Sequence, residues 1–235
     1  MTESEALFRR FCTSQGWRVE RIDEHSVAEG SKVPDFRLQL GNGAGIVVEV
    51  KQFDPNPKER EAVQGMGSGV LGGKPGHRLR QVIPKANNQL KALGRSDPGM
   101  VVVYNRTPCS LHDDPYAVLT AMRGLDVIEY YVPSDPGSPI VPVRERPGPG
   151  KKLTPKMNTS VSCIAVLREF FDGVAIPFGL SGPESPETPA APEYALAVYH
   201  NPFAKRPLDP RSLVGSRVTH YRMKEDQSSW EPYPS

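Results

Sequence analysis

The chain has 235 residues, of which 37% are apolar and 24% are charged. This composition supports a single domain with a hydrophobic core and excludes a chain that is disordered throughout. The formal net charge is only +2, so any affinity for nucleic acid must come from a local basic patch. The 25 prolines and 21 glycines predict long irregular connections around a modest core.

The cysteines give information about the cellular setting. Cys12, Cys109 and Cys163 are odd in number and widely spaced, and they show neither a disulfide framework nor metal-ligand spacing. This usage favours a reducing cytoplasm. The charged N-terminal region does not read as a signal peptide, and no apolar run approaches the about 18 residues that would indicate a membrane span. We therefore expect a cytoplasmic protein without a membrane partner.

The first hundred residues predict the order helix, strand, strand, strand, helix, strand. The helical spacing of Leu7, Phe8, Phe11 and Cys12 indicates a helix over residues 3–15. A strand follows over residues 17–22, and two short strands within residues 33–51 are joined by Gly41-Asn42-Gly43. The second helix is expected over residues 78–93, with Pro84 kinking it or delaying its start. The apolar run 100–104 predicts a buried strand.

The remainder of the chain predicts further strands separated by loops rich in proline and glycine. We expect a short helix over residues 115–123 and strands over residues 125–132, 160–168, 194–199 and 216–222. Loops are expected over residues 133–157 and 181–193, followed by a loose tail from residue 223. The chain is therefore expected to be one mixed α/β domain, with a core over residues 1–105 and a part over residues 106–222 that extends the sheet.

Three charged side chains stand at the ends of the two short strands. Residues two apart in a strand point to the same face, so Glu49 and Lys51 share one face while Val48 and Val50 share the other. A hairpin that brings Asp35 beside Glu49 and Lys51 places two carboxylates and one ammonium group together. Such a cluster suits a divalent cation and a water molecule. The alternative is a surface hairpin with ordinary ion pairs.

Pro34-Asp35 and Glu49-Val50-Lys51, in this order of helices and strands, resemble the PD-(D/E)xK nuclease superfamily. The resemblance covers residues 1–105 and implies the restriction-endonuclease-like fold, a mixed β-sheet flanked by helices, here with Pro/Gly-rich loop elaborations in the C-terminal half. It also implies that Asp35 and Glu49 bind one or two Mg²⁺ ions and that Lys51 assists the attacking water. A carboxylate on the first helix and a residue on the later helix often join such a site. These correspond to Glu5, with Glu3 as second choice, and to Gln89 or Lys85.

The chemistry of phosphodiester hydrolysis agrees with these residues. A Mg²⁺ ion takes few protein carboxylates together with waters and substrate oxygens, and Asp35, Glu49 and the carbonyl of Val50 match that demand. We expect a metal-dependent nuclease that hydrolyses DNA, with RNA left open, Mn²⁺ as a substitute for Mg²⁺ and a homodimer as a possible assembly. Bacterial or phage defence, restriction or repair are the suggested settings. The alternative is a catalytically inactive module on the same fold that binds nucleic acid or protein.

Basic residues surround the start of the second predicted helix. No acidic residue interrupts the stretch that contains Lys74, Arg78, Arg80 and Lys85, which predicts an edge that contacts phosphates without reading sequence. The alternative is a solvated helix face. The glycine-rich residues 64–77 are interpreted as a candidate flap over the site, and His200 is expected to be structural rather than catalytic.

Overall fold

The computed structural model describes residues 1–23, 32–41, 43–64, 73–93, 96–107, 112–135, 137–171, 174–175 and 193–234. The helices are α1 (Glu3–Ser14), α2 (Pro57–Gln64), α3 (His77–Ala92) and α4 (Pro115–Arg123). The strands of the first half are β1 (Arg18–Arg21), β2 (Phe36–Gln39), β3 (Gly45–Phe53) and β4 (Gly99–Asn105). Those of the second half are β5 (Asp126–Tyr131), β6 (Val141–Pro147), β7 (Cys163–Phe171), β8 (Val174–Ala175), β9 (Glu193–His200), β10 (Val218–Met223) and β11 (Trp230–Pro232).

Within the described ranges, nine strands form one mixed sheet in the order β1-β2-β3-β4-β7-β9-β10-β11, with the short β8 paired to β7. The strands β1, β2 and β3 form an antiparallel meander, and β4 and β7 then run parallel to β3. Next in the sheet, β9 runs antiparallel to β7, and β10 runs parallel to β9. The sheet ends with β11, which is antiparallel to β10. The C-terminal ends of β3, β4 and β7 therefore lie at the same edge of the sheet.

Two hydrophobic cores cover the two faces of this sheet. Val48 and Val50 of β3 point to the core that contains the apolar face of α1. Val47 points to the opposite core, which contains the apolar faces of α3 and α4. The strands β4 and β7 contribute side chains to both cores, which explains why they read as continuous apolar runs. The chain is a mixed α/β protein with a large mixed sheet flanked by helices.

The helix α1 forms as its sequence predicts. The Thr2 hydroxyl accepts a hydrogen bond from the Glu5 N–H and caps the first turn. Leu7, Phe8, Phe11 and Cys12 are all buried against the sheet. Gly16 adopts a φ of +73° just after the helix, a conformation that glycine reaches without steric cost. Capping and periodicity therefore place α1, and with it Glu5, next to β3.

The helix α3 is present where the sequence predicts it, and Pro84 does not delay its start. The helix begins at His77, after Gly76 with a φ of +65°, and continues through Pro84 to Ala92. Its buried side chains Leu79, Ile83, Ala86 and Leu90 span the turns on both sides of the proline. The packing of this apolar face holds α3 together across the missing N–H.

Several elements were absent from the sequence-based prediction. Helix α2 follows β3 at a place where no helix was predicted. Strand β6 lies inside the predicted loop 133–157 and pairs with β5 as a separate two-stranded sheet. Pro142 and Pro147 made this strand read as a loop, yet proline is tolerated in a strand at the edge of a sheet. The tail expected to be loose contains β11, because the Trp230 indole donates to the Pro115 carbonyl at 2.8 Å and packs on Tyr199.

Some predictions fall outside the described residues. These are most of the polar loop before β2 (residues 24–31), the centre of the glycine-rich segment (residues 65–72), residues 181–192 of the predicted low-complexity loop, and Cys109. Cys12 and Cys163 are free and buried. None of the helices in the described part of the chain is long and apolar enough to cross a membrane.

Candidate active site

The predicted hairpin of residues 33–51 is present, and it brings Asp35 to Glu49. Phe36 of β2 pairs with Val48 of β3 in an antiparallel register, so one step further along the register Asp35 faces Glu49. The Asp35 carboxylate oxygen Oδ2 accepts a hydrogen bond from the Val50 N–H at 2.7 Å. The backbone of β3 thus fixes the first carboxylate beside the second.

Glu49 and Lys51 share a face of β3, as the two-residue period predicts. The Glu49 side chain is only 1% exposed, and its Oε1 contacts the Lys51 ammonium group, which keeps 25% of its side chain exposed. Lys51 Nζ also donates to the Gln89 side-chain oxygen of α3 at 3.4 Å. The Gln89 amide nitrogen donates in turn to the Val33 carbonyl at 3.1 Å. Gln89 therefore joins α3, Lys51 and the start of β2.

The electrostatics of the site favour an additional positive charge. Burial raises the pKa of Glu49 to about 7; the Asp35 charge adds to this shift, and Lys51 opposes it. Burial also raises the pKa of Asp35, opposed by the Val50 hydrogen bond and reinforced by the charge of Glu5. Burial therefore disfavours the charged form of both carboxylates, and Lys51 offsets the shift of the Glu49 pKa only in part.

Two carboxylate oxygens at this site lack hydrogen-bond partners. Glu5, on α1, is 8% exposed, and its charge acts on Asp35. Within the described residues, Glu5 Oε2 and Glu49 Oε2 are buried and have no hydrogen-bond partner. An unpaired buried carboxylate oxygen is costly and calls for an explanation such as a bound ion. Glu3, the second choice on α1, instead forms an ion pair with Arg106 at 2.8 Å.

The protein atoms that could bind a metal ion here are those that the sequence predicts. In the ranges that the structure describes, no group of three or more His, Cys, Asp and Glu side chains is arranged to hold a metal ion. The predicted set needs only Asp35, Glu49 and the main-chain carbonyl of Val50, since Mg²⁺ fills its remaining positions with water and substrate oxygens. The unpaired Glu49 oxygen fits this donor set, whereas the contact shown by Val50 is that of its N–H.

A cleft of about 430 Å³ opens beside Lys51. It is lined by Lys32, Lys51, Lys85, Asn88, Gln89 and Ala92, and we call it the lysine cleft. Sequence analysis had singled out Lys51, Lys85 and Gln89. It missed Lys32, in a predicted polar loop, and Asn88, although Asn88 lies three residues after Lys85 and therefore shares its helix face.

The predicted basic edge is not assembled as a unit. Lys74 is exposed before α3, and Lys85 lines the lysine cleft. Arg78 instead pairs with Glu59 of α2 at 2.6 Å and donates to the Asp54 carbonyl at 2.6 Å. Arg80 is partly buried and donates to the Thr120 carbonyl of α4 at 3.5 Å. The two arginines therefore connect helices and loops, because α2 and α4 supply acceptors that the sequence pattern did not reveal.

No family model, curated protein or solved structure matches the chain. Fold and site together define a mixed α/β protein that carries a buried carboxylate–lysine cluster where β3 meets the start of β2.

Proposed function

We propose that this protein is a metal-dependent nuclease that hydrolyses the phosphodiester bonds of DNA. The observation that carries the proposal is Glu49, whose buried Oε2 has no hydrogen-bond partner among the described residues and which lies beside Asp35 and Lys51. Glu5, whose buried Oε2 likewise has no partner there, acts on Asp35 through its charge. A fold that buries this much negative charge without satisfying it is suited to a cation.

The arrangement of the strands supports the restriction-endonuclease-like fold as the finer assignment. Helix α1 precedes the antiparallel meander β1–β3, and α3 leads to β4, which lies parallel to β3. This is the order of elements on which the resemblance to PD-(D/E)xK nucleases was based. The resemblance to that superfamily remains part of the proposal.

Asp35, Glu49 and the Val50 carbonyl would hold Mg²⁺, with Mn²⁺ as a substitute and Glu5 as a neighbouring carboxylate. When bound, the ion acidifies a water molecule and neutralises charge on the phosphate. The protein fixes Asp35 through the Val50 N–H and holds Lys51 between Glu49 and Gln89. Lys51 therefore presents a positioned positive charge at the open side of the site, where it orients a water molecule or stabilises developing negative charge.

Cleavage assays test the proposal directly. Supercoiled plasmid and linear duplex DNA are incubated with Mg²⁺ or Mn²⁺ and with wild-type protein, Asp35→Ala or Lys51→Ala. Matched controls are Glu231→Ala on β11 and Lys224→Ala immediately after β10. We expect the wild type and both controls to cut and both site variants to lose cleavage.

Two outcomes contradict the proposal. One is a wild type that cuts none of the substrates, and the other is cleavage by Asp35→Ala and Lys51→Ala at the wild-type rate. Binding of DNA by a wild type that does not cleave would favour the inactive binding module instead.

A further inference from the structure

The lysine cleft has a definite position relative to the site. Lys85, Asn88, Gln89 and Ala92 follow the spacing i, i+3, i+4 and i+7, so they form one face of α3. Lys32 approaches from the segment before β2, and the Gln89 bond to Val33 joins these two walls. The third wall is Lys51 of β3. The cleft therefore lies between α3 and the start of β2 and adjoins the carboxylates through Lys51.

The charged side chains that line the cleft are all positive. Three of its six residues are lysines, and among the described residues that line the cleft none is acidic. Lys51 is balanced by Glu49. Lys32 and Lys85 are exposed to solvent and give the cleft an excess of positive charge. An anionic ligand is therefore favoured over a neutral or cationic one.

The size and polarity of the cleft further restrict the class of ligand that it can bind. Its volume of about 430 Å³ falls in the range of about 300–1,000 Å³ that is typical of small-ligand sites. The side-chain amides of Asn88 and Gln89 offer donors and acceptors, whereas Ala92 is the one apolar side chain among the described residues of the lining. A polar, phosphate-bearing unit the size of one nucleotide matches this combination better than an apolar molecule.

We infer that the lysine cleft binds the nucleotide next to the cleaved phosphate, with Lys32 and Lys85 each contacting one backbone phosphate. Asn88 supplies a hydrogen bond to the sugar or base between them. The inference rests on the proposed function, since that function places the cleaved phosphate at Lys51. It differs from the sequence-based prediction in replacing Arg78 and Arg80, which are held by other elements, with Lys32 and Asn88.

The expected size of the effect follows from counterion release. Each phosphate contact contributes about 0.9 to the slope of log K against log salt concentration for duplex DNA, and about 0.7 for single strands. With the duplex value, loss of the phosphate contact of either Lys32 or Lys85 weakens DNA binding about fivefold at 0.15 M salt. Loss of both contacts weakens it about 30-fold. Asn88→Ala removes no charge, so it weakens binding without changing the salt slope.

The experiment measures binding separately from cleavage. Fluorescence anisotropy follows labelled single-stranded and duplex oligonucleotides in EDTA, at several salt concentrations, with wild type, Lys32→Ala, Lys85→Ala, the double variant and Asn88→Ala. The matched control is Lys91→Ala/Lys224→Ala, which removes two exposed lysines outside the lining. Thermal unfolding of every variant checks that the fold is retained.

Weaker binding and a salt slope reduced by about 1.4–1.8 in the Lys32→Ala/Lys85→Ala double variant support the inference, provided that the control retains wild-type binding. A double variant that binds like the wild type or like the control overturns it, as does a wild type that binds neither oligonucleotide. Because no metal is present, this result does not depend on cleavage. A failure of cleavage and a failure of DNA binding at the lysine cleft are therefore distinguishable.

Discussion

Two buried polar clusters in this protein are built in opposite ways. In the C-terminal half, His200 Nε2 and His220 Nδ1 share a hydrogen bond at 2.8 Å, and His220 Nε2 donates to the Leu213 carbonyl at 2.9 Å. The His200 ring also packs edge-on against Tyr233, with 4.7 Å between ring centroids. At the carboxylate cluster, by contrast, Glu49 Oε2 is buried and has no hydrogen-bond partner among the residues that the structure describes. Described residues complete the histidine pair, whereas they leave the carboxylate cluster open to a further group, which we propose is a metal ion.

Burial acts on both clusters but has different consequences. It lowers the pKa of His200 to about 4, with the neighbouring His220 adding to the shift, and so keeps the pair neutral. It raises the pKa of Glu49 to about 7, although Lys51 lies against it. A neutral, hydrogen-bonded pair stabilises the fold. A carboxylate that is only partly neutralised near pH 7 can respond to a cation, and this contrast separates a structural cluster from a candidate site.

The largest expected effect is the loss of cleavage in Glu49→Gln. Glutamine keeps the volume of the side chain but removes the charge that we propose binds the metal, so we expect cleavage to fall at least about 100-fold. The measurement is the initial rate of plasmid nicking and linearisation with Mg²⁺. Glu231→Gln is the control and should keep the wild-type rate. A Glu49→Gln rate within a few-fold of wild type would contradict the proposed role.

Removal of His200 should instead affect stability. His200→Ala deletes a buried ring and removes the hydrogen-bond partner of His220 Nδ1, which we expect to lower the free energy of unfolding by about 2–4 kcal/mol. Urea unfolding followed by circular dichroism measures this change, with His77→Ala on the exposed part of α3 as control, expected within about 0.5 kcal/mol of wild type. Cleavage per folded molecule should remain. If His200→Ala lost cleavage but kept its stability, His200 would belong to the active site and would not be a structural residue.

The convergence of the carboxylate cluster could be predicted from sequence because it depends on local rules. The two-residue period places Glu49 and Lys51 on one face, and the short hairpin brings Asp35 opposite them. The apolar stripe of α1 similarly predicts the helix that carries Glu5. All these residues lie within one run of helix and meander, so few long-range contacts have to be known.

The surroundings of the site could not be predicted in this way. Arg78 is diverted by Glu59 on a helix that the sequence did not reveal, and Arg80 by a carbonyl of α4. Lys32 enters the lysine cleft because of the position of its loop against α3. Each of these outcomes depends on a contact between residues far apart in the chain. Periodicity and composition carry little information about such contacts.

Addition of Mg²⁺ should distinguish the two clusters through stability. A ligand that binds the folded protein alone stabilises it by about 2.7 kcal/mol at 100 times its dissociation constant. We expect the melting temperature of wild type to rise with Mg²⁺ and to return with EDTA. His200→Ala should show the same increment from a lower starting point. The melting temperature of Glu49→Gln should not rise with Mg²⁺. A rise equal to that of the wild type would mean that the metal binds at another place.

The smallest expected effect is a difference in pH dependence, measured in EDTA by urea unfolding between pH 4 and pH 7.5. The folded-state pKa of Glu49 is raised from 4.5 to about 7, so the folded protein binds the proton more tightly than the unfolded chain. This contribution to stability is present below about pH 4.5 and is lost as the pH rises through about 7. Glu49→Gln should remove that fall, by at most about 1.4 kcal/mol per pH unit.

His200 should contribute with the opposite sign. Its folded-state pKa is lowered from 6.5 to about 4, so the unfolded chain binds the proton more tightly and stability rises with pH across that interval. His200→Phe, which keeps an aromatic ring, should remove the rise, and Glu49→Gln should leave it. Each variant is compared with wild type because the Glu49 and His200 contributions to stability change over overlapping pH ranges and partly cancel. Parallel curves for wild type and Glu49→Gln would mean that the pKa of Glu49 is not raised in the folded protein, and the contrast with the histidine pair would then be lost.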